Sequence, residues 1–102
     1  MSESKITRSI LDYINKPRVK KGFSGYAWKN HGGVYGTKGL PDIMAVIKKG
    51  EKSFFICMEV KRPTGKPTIL QSAILAKFVC LGIEARIVTS LDEAKTILED
   101  LG

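Results

Sequence analysis

The segment FICMEVK (residues 55–61) constrains the fold more than any other part of this sequence. Its apolar residues run without a break up to Met58, and then Glu59 and Lys61 appear two positions apart. Side chains alternate between the two faces of a strand, so an unbroken apolar run predicts a strand buried on both faces and central in its sheet. Glu59 and Lys61 share one face, and they stand where this strand leaves the core.

Apolar periodicity and turn residues predict seven elements in the order α-β-β-β-α-β-α. The helices are expected near residues 6–14, 69–81 and 91–101, and the strands near 23–29, 43–47, 53–61 and 84–88. The polar KKGEK segment predicts a hairpin between the second and third strands. The helical crossover after the third strand predicts a fourth strand parallel to it. We therefore expect one α/β domain over residues 1–102, with a mixed sheet flanked by helices.

The charge is uneven along the chain, whose net charge is +7. Residues 1–38 carry eight Lys and Arg against two acidic residues, whereas residues 39–102 carry nine against eight. A basic half indicates a polyanionic partner such as nucleic acid, although a solubilising surface explains the same charge. There is no apolar run of about 20 residues and no signal sequence, so we expect a cytoplasmic protein without a membrane span. Cys57 and Cys80 are expected to be reduced core residues.

Two carboxylates meet if the predicted hairpin forms. Asp42 precedes the second strand and Glu59 ends the third, so the hairpin brings them to the same edge of the sheet. Adjacent carboxylates repel unless a positive charge lies between them. Mg²⁺ suits this position because it prefers carboxylate and carbonyl oxygens, and the Val60 carbonyl is a further candidate ligand. Lys61 would then face an attacking water or a phosphate.

Each of these residues also has a purely structural explanation. Glu59 and Lys61 can form a same-face ion pair of little energetic value. Asp42 can close a Pro-Asp turn. Gln71 fits a capping box with Thr68 at the start of the second helix.

The segments GLPDI, MEVK and GKPTILQ, within residues 39–90, resemble the VRR-NUC family of the PD-(D/E)XK nuclease superfamily. This resemblance implies a restriction-endonuclease-like core and Mg²⁺-dependent hydrolysis of phosphodiester bonds, and we expect Mn²⁺ to substitute for Mg²⁺. It makes Asp42 and Glu59 metal ligands, Lys61 catalytic, and Gln71 part of the site. Glu3 on the first helix stands where many relatives carry another metal-site acid.

The resemblance also implies a partner and an assembly. Stand-alone members of this length resemble Holliday-junction resolvases, which act as homodimers on four-way junctions. We therefore expect a homodimer that cleaves branched DNA, in which the pairing of two copies also supplies apolar burial that a small chain lacks.

Several basic and aromatic residues are candidate DNA contacts. Lys38 and Lys66 lie in loops beside the predicted site, and Lys20 and Lys21 belong to a basic run. These lysines can contact phosphates or can simply be solvated. Tyr35, in a glycine-rich loop, can stack on unpaired bases. Tyr26 and Trp28 share strand parity and are expected to pack in the core.

Three functions are compatible with these features. The first is a Mg²⁺-dependent DNA endonuclease. The second is a DNA-binding module without catalysis, in which the acids are structural. The third is a protein-interaction domain whose basic face meets an acidic partner. Clustered acids beside phosphates favour the first, because carboxylates repel DNA unless a cation intervenes.

Overall fold

The computed structural model describes residues 2–16, 22–30 and 38–102. The element order is the predicted α-β-β-β-α-β-α. The helices are α1 (Glu3–Asn15), α2 (Ile69–Cys80) and α3 (Leu91–Asp100), and the strands are β1 (Ser24–Lys29), β2 (Ile43–Lys49), β3 (Lys52–Val60) and β4 (Glu84–Val88). None of the helices in these ranges combines the length and the apolar character that crossing a membrane requires.

The four strands form one mixed sheet in the order β1-β2-β3-β4. The first three strands are antiparallel and β4 is parallel to β3, as the helical crossover predicted. The unbroken apolar strand β3 is central, between β2 and β4. The β2–β3 hairpin turns at Gly50, whose φ of +60° suits the tight two-residue turn between Lys49 and Lys52.

One face of the sheet is covered by α1 and α3, and this layer holds the main core. Ile6, Ile10 and Ile14 recur at helical spacing on α1 and are fully buried, together with Leu98 of α3. The side chain of Asn15 fixes the end of α1 to β1: its Nδ2 donates to the Ala27 carbonyl and its Oδ1 accepts from the Ala27 N–H.

On the other face of the sheet, α2 is the one helix of the described residues that packs against the strands. The smaller core on this side consists of Met44, Cys57, Leu75 and Ala85. Leu75 is the one residue of α2 that is buried. The expectation that Tyr26 packs in the core is wrong, because α2 leaves this residue 66% exposed. The expectation for Cys80 is likewise wrong, because it lies on the exposed side of α2, whereas Cys57 is buried.

Serine and threonine side chains cap the starts of α1, α2 and α3. Ser2 and Ser90 accept backbone N–H groups in the first turns of α1 and α3. Thr68 and Gln71 form the complete capping box at the start of α2. These side chains satisfy N–H groups that a helix leaves without partners at its start.

Candidate active site

The register of the β2–β3 hairpin places the two predicted acids opposite each other. Ile43 pairs with Met58 in the antiparallel ladder, so the next pair outward is Asp42 and Glu59. The chain continues from β1 in the same register, because the Asn30 N–H donates to the Asp42 carbonyl at 2.8 Å. Side chains on directly opposed positions share one face and lie close together. The sheet therefore brings together two carboxylates that are seventeen positions apart in the sequence.

The Asp42 side chain is fixed by backbone groups. Its Oδ2 accepts from the Val60 N–H at 2.8 Å, which joins the start of β2 to the end of β3. The Asn30 side chain donates to the Pro41 carbonyl at 2.8 Å and holds the preceding peptide. Pro41 is itself fully buried. Asn30, which directly follows β1, therefore holds the Pro41–Asp42 segment through both its backbone and its side chain. The sequence alone did not reveal this role.

Glu59 is the most deeply buried charged side chain in the described ranges. The residue is 1% exposed. Its Oε1 accepts from Gln71 Nε2 at 3.1 Å and lies 3.9 Å from Lys61 Nζ. Its Oε2 is buried and accepts no hydrogen bond within the described part of the chain. A buried carboxylate oxygen without a donor is costly, so the arrangement calls for a proton or a cation at this atom.

Burial raises the pKa of Glu59 to about 8. The neighbouring Asp42 carboxylate raises this pKa further, because its negative charge and its proximity favour the protonated form of Glu59. The Lys61 ammonium and the Asp42 backbone act in the opposite direction, but they do not overcome burial. The site therefore takes up a positive charge near neutral pH, and a proton is the simplest one.

The donor set of this site fits a hard divalent cation. Two carboxylates, one of which keeps an unpartnered buried oxygen, are the kind of oxygen ligands that Mg²⁺ prefers. Asp42 and Glu59 are the residues that would hold the ion, and the Val60 carbonyl remains a predicted ligand. Over residues 2–16, 22–30 and 38–102 there is no group of three His, Cys, Asp or Glu side chains that could hold a metal. Water or phosphate oxygens would therefore complete the coordination.

Glu3 lies near the end of β3 but not in this pair of acids. Its Oε2 accepts from the Arg62 N–H at 3.3 Å and lies 4.0 Å from Arg62 Nε. The first turn of α1 thus meets the residue after Lys61. The Glu3 carboxylate is thus engaged by Arg62 in this structure. The metal role of Glu3 stays a prediction.

The predicted DNA contacts divide into two groups. Lys38 and Lys66 are both exposed, in the loops that precede β2 and α2. Their phosphate contacts stay predictions. Lys20, Lys21 and Tyr35 lie outside the described residues.

Gln71 forms the predicted capping box and also contacts Glu59, while its part in a functional site stays a prediction. Its Oε1 accepts from the Thr68 N–H at 2.9 Å, which completes the capping box. Its Nε2 donates to Glu59 at the same time. The two ends of one amide therefore connect the start of α2 to the candidate site.

Comparison with known proteins gives information at the level of the fold. No protein-family model matches the sequence, and no curated protein matches it either. A solved structure described as a VRR_NUC domain protein superposes with a TM-score of 0.68 at 12% sequence identity. The match covers 97% of this chain and 86% of that one. The chain therefore has a VRR-NUC-like fold of the restriction-endonuclease-like type.

Proposed function

We propose that this chain is a Mg²⁺-dependent DNA endonuclease that hydrolyses phosphodiester bonds, with Mn²⁺ as a substitute ion. One observation carries the proposal. Asp42 and Glu59 are opposed across a rigid hairpin with Lys61 beside them, and Glu59 keeps a buried oxygen without a partner. A structural ion pair would not need the second acid or the unpartnered oxygen. The VRR-NUC-like fold supports the same class of activity.

The residues of the site have separate roles in this proposal. Asp42 is held by the Val60 N–H, so its free oxygen keeps a fixed direction. Gln71 holds one oxygen of Glu59 and leaves the other for the ion. The Lys61 side chain is only 14% exposed, which strengthens its electrostatic interaction with a nearby phosphate. Lys61 would orient the attacking water or stabilise the negative charge that develops on the phosphate.

The divalent cation would supply charge neutralisation and Lewis-acid activation of the phosphodiester when bound. All other contributions come from the chain itself. Antiparallel pairing fixes the distance between the carboxylates, and the capping box of α2 fixes Gln71. Rigid strands keep these groups in place before substrate binds, so little reorganisation is needed during the reaction.

We further propose that the substrate is branched DNA, such as a four-way junction, and that the active form is a homodimer. Two copies place two sites on one molecule, which suits a substrate whose cut strands come in pairs. The exposed lysines in the loops that precede β2 and α2, Lys38 and Lys66, are suited to phosphate contacts.

The test is cleavage of labelled four-way junction, flap, single-stranded and duplex DNA in Mg²⁺, Mn²⁺ or EDTA. Asp42→Asn, Glu59→Gln and Lys61→Met each keep the shape of the side chain, and we expect each to reduce cleavage at least about 100-fold. Lys52→Met, an exposed change in β3 outside the site, is the matched control. Thermal unfolding of every variant separates loss of activity from loss of fold.

The outcomes separate the candidate functions. Cleavage that needs a divalent cation and all three site residues supports the endonuclease. Salt-sensitive DNA binding with no cleavage in any ion would instead assign a binding module. Cleavage that survives Glu59→Gln and Lys61→Met would reject this site.

A further inference from the structure

The exposed large apolar residues lie on one side of the molecule. Throughout the described ranges, every large apolar residue that is strongly exposed belongs to α2, to its C-terminal end, or to the sheet face that α2 covers. They are Tyr26, Val46, Phe55, Ile69, Leu70, Val79, Leu81 and Ile87. The side formed by α1 and α3 carries none of them. Such segregation is typical of an interaction surface and not of scattered exposure.

The helix α2 is apolar on its outer face as well as on its inner face. Ile69 is 91% exposed, and Ala73, Ala76 and Cys80 continue along the outer face. Lys77 is the only charged residue in the helix. A helix on the surface of a monomer normally turns a polar face to water. The outer face of α2 therefore has the composition of a helix that is covered on both sides.

The sheet face beside α2 is incompletely covered. Side chains form successive cross-strand rows on this face, and the row with Asp42 and Glu59 forms the candidate site. The next row holds Met44 and Cys57, which pack beneath α2. The third row pairs Tyr26 with Val46 and Val46 with Phe55, and its members remain exposed. No helix within the described ranges covers that row.

These two surfaces complement each other. An uncovered apolar row of a sheet is stabilised by a helix with an apolar flank, and α2 carries such a flank turned to water. Two copies related by a two-fold axis can each place α2 against the open row of the other copy. A single interface would then bury the α2 flank and the open row of both copies. The eight residues are between 39% and 91% exposed, so about half of the roughly 200 Å² of a large apolar side chain is open on each, which is on the order of 800 Å² in all. Each partner in a stable complex buries about the same, roughly 800 Å².

We propose that the α2 side of the sheet, defined by these eight residues, is the docking surface for a second copy of this chain. The inference rests on the homodimer of the proposed function and identifies its interface. It also links the interface to the candidate site, because Ile69 lies two residues before Gln71 in the first turn of α2. Association is measured without DNA or metal, so its failure is distinguishable from failure of the catalytic proposal.

The test is sedimentation velocity and light scattering of the full chain over a range of protein concentrations. Tyr26→Lys changes the open row and Val79→Lys changes the flank of α2, where lysine is a good helix former. Thr96→Lys, exposed on α3, is the matched control. We expect wild type and Thr96→Lys to be dimers, and each interface variant to dissociate at least about 10-fold more readily because a charge is buried against apolar residues.

A second measurement does not depend on the folding of a variant. Cys80 lies on the outer face of α2, whereas Cys57 is buried and its pKa is raised to about 11 by burial. A bulky maleimide added to folded wild type should therefore label Cys80, and we expect it to convert the dimer to a monomer. Unlabelled protein incubated in parallel is the control.

Three results would overturn this inference. Wild type that stays monomeric at every concentration would do so, as would a dimer that persists in both lysine variants and after labelling. A monomer that binds single-stranded oligonucleotides and loses this binding in Tyr26→Lys would assign the face to nucleic acid instead.

Discussion

The side-chain amide of Gln71 donates to Glu59 Oε1 at 3.1 Å while its carbonyl end accepts from the Thr68 backbone N–H. The first turn of α2 and the candidate site are thus joined through one side chain. Gln71 therefore couples helix capping at Thr68 to the orientation of Glu59. Separate substitutions of Thr68 and Gln71 distinguish the two effects.

Thr68→Ala and Gln71→Ala distinguish these two contributions. Thr68→Ala removes the oxygen that accepts from the Gln71 N–H, and we expect a loss of about 1 kcal/mol in the free energy of unfolding. Gln71→Ala should cost a similar amount and also release Glu59, so only this variant should lower the cleavage rate. Urea unfolding and cleavage of junction DNA measure the two effects. Equal cleavage by both variants would limit Gln71 to capping.

The pH dependence of stability should report the proton on Glu59. The folded chain keeps this proton up to a pH of about 8, whereas the unfolded chain releases it near the ordinary pKa of 4.5. Between these values the folded state binds more protons, so its free energy of unfolding falls as pH rises, with a slope of up to about 1.4 kcal/mol per pH unit. The stabilising contribution is complete below pH 4.5 and is lost as pH rises toward 8.

Glu59→Gln isolates this contribution, because the amide does not titrate. Urea unfolding in EDTA between pH 5 and pH 8 should show wild type losing stability relative to this variant. Parallel profiles for the two proteins would contradict the raised pKa of Glu59.

A divalent cation should stabilise the folded protein through Asp42 and Glu59. An ion at 100 times its dissociation constant adds about 2.7 kcal/mol to the free energy of unfolding. The shift in melting temperature should be larger at pH 8 than at pH 6, because the ion competes with the proton that burial holds on Glu59. Asp42→Asn should remove most of the shift, and Lys52→Met should retain it. A shift that survives Asp42→Asn would place the ion elsewhere.

Lys49 should contribute to stability far from the candidate site. Its Nζ donates to the carbonyls of Leu98, Glu99 and Leu101 at 3.0, 2.9 and 2.9 Å. These are carbonyls at the end of α3, where a positive charge is favourable. We expect Lys49→Met to reduce the free energy of unfolding by about 1–3 kcal/mol without changing DNA cleavage.

Lys52→Met is the matched control for this change, because Lys52 pairs with Lys49 across the hairpin and is exposed. Urea unfolding should show little effect of the control. Equal losses of unfolding free energy in Lys49→Met and Lys52→Met would mean that the three carbonyl contacts do not contribute to stability.

Gly39 should be required in the loop that leads to Asp42. Its φ is +85°, and a Cβ at this position would lie 2.6 Å from Leu70 Cγ. Gly50 offers a comparison, because its φ is +60° but a Cβ there meets nothing within 4 Å. Gly50→Ala should cost only the backbone strain, about 1–2 kcal/mol, whereas Gly39→Ala should cost more and should also reduce cleavage. Equal stability of the two variants would argue against close packing of this loop on α2.

The sequence alone was sufficient for the element order and for the partnership of Asp42 with Glu59. The unbroken apolar run in β3 indicated its central position, and the short polar turn indicated the hairpin. Both signals are local, because strand parity and a two-residue turn fix the register of neighbouring strands. Once the register is fixed, residues at the open end of the hairpin must oppose each other.

Only the tertiary structure decided how deeply Glu59 is buried, that Asn30 clamps the Asp42 segment, and that Gln71 serves cap and site together. It also decided that Tyr26 is exposed, although the residue shares strand parity with Trp28. Parity assigns a side chain to a face, but the cover on that face depends on where a helix distant in sequence crosses the sheet. That position results from packing between elements, which no local pattern of residues encodes.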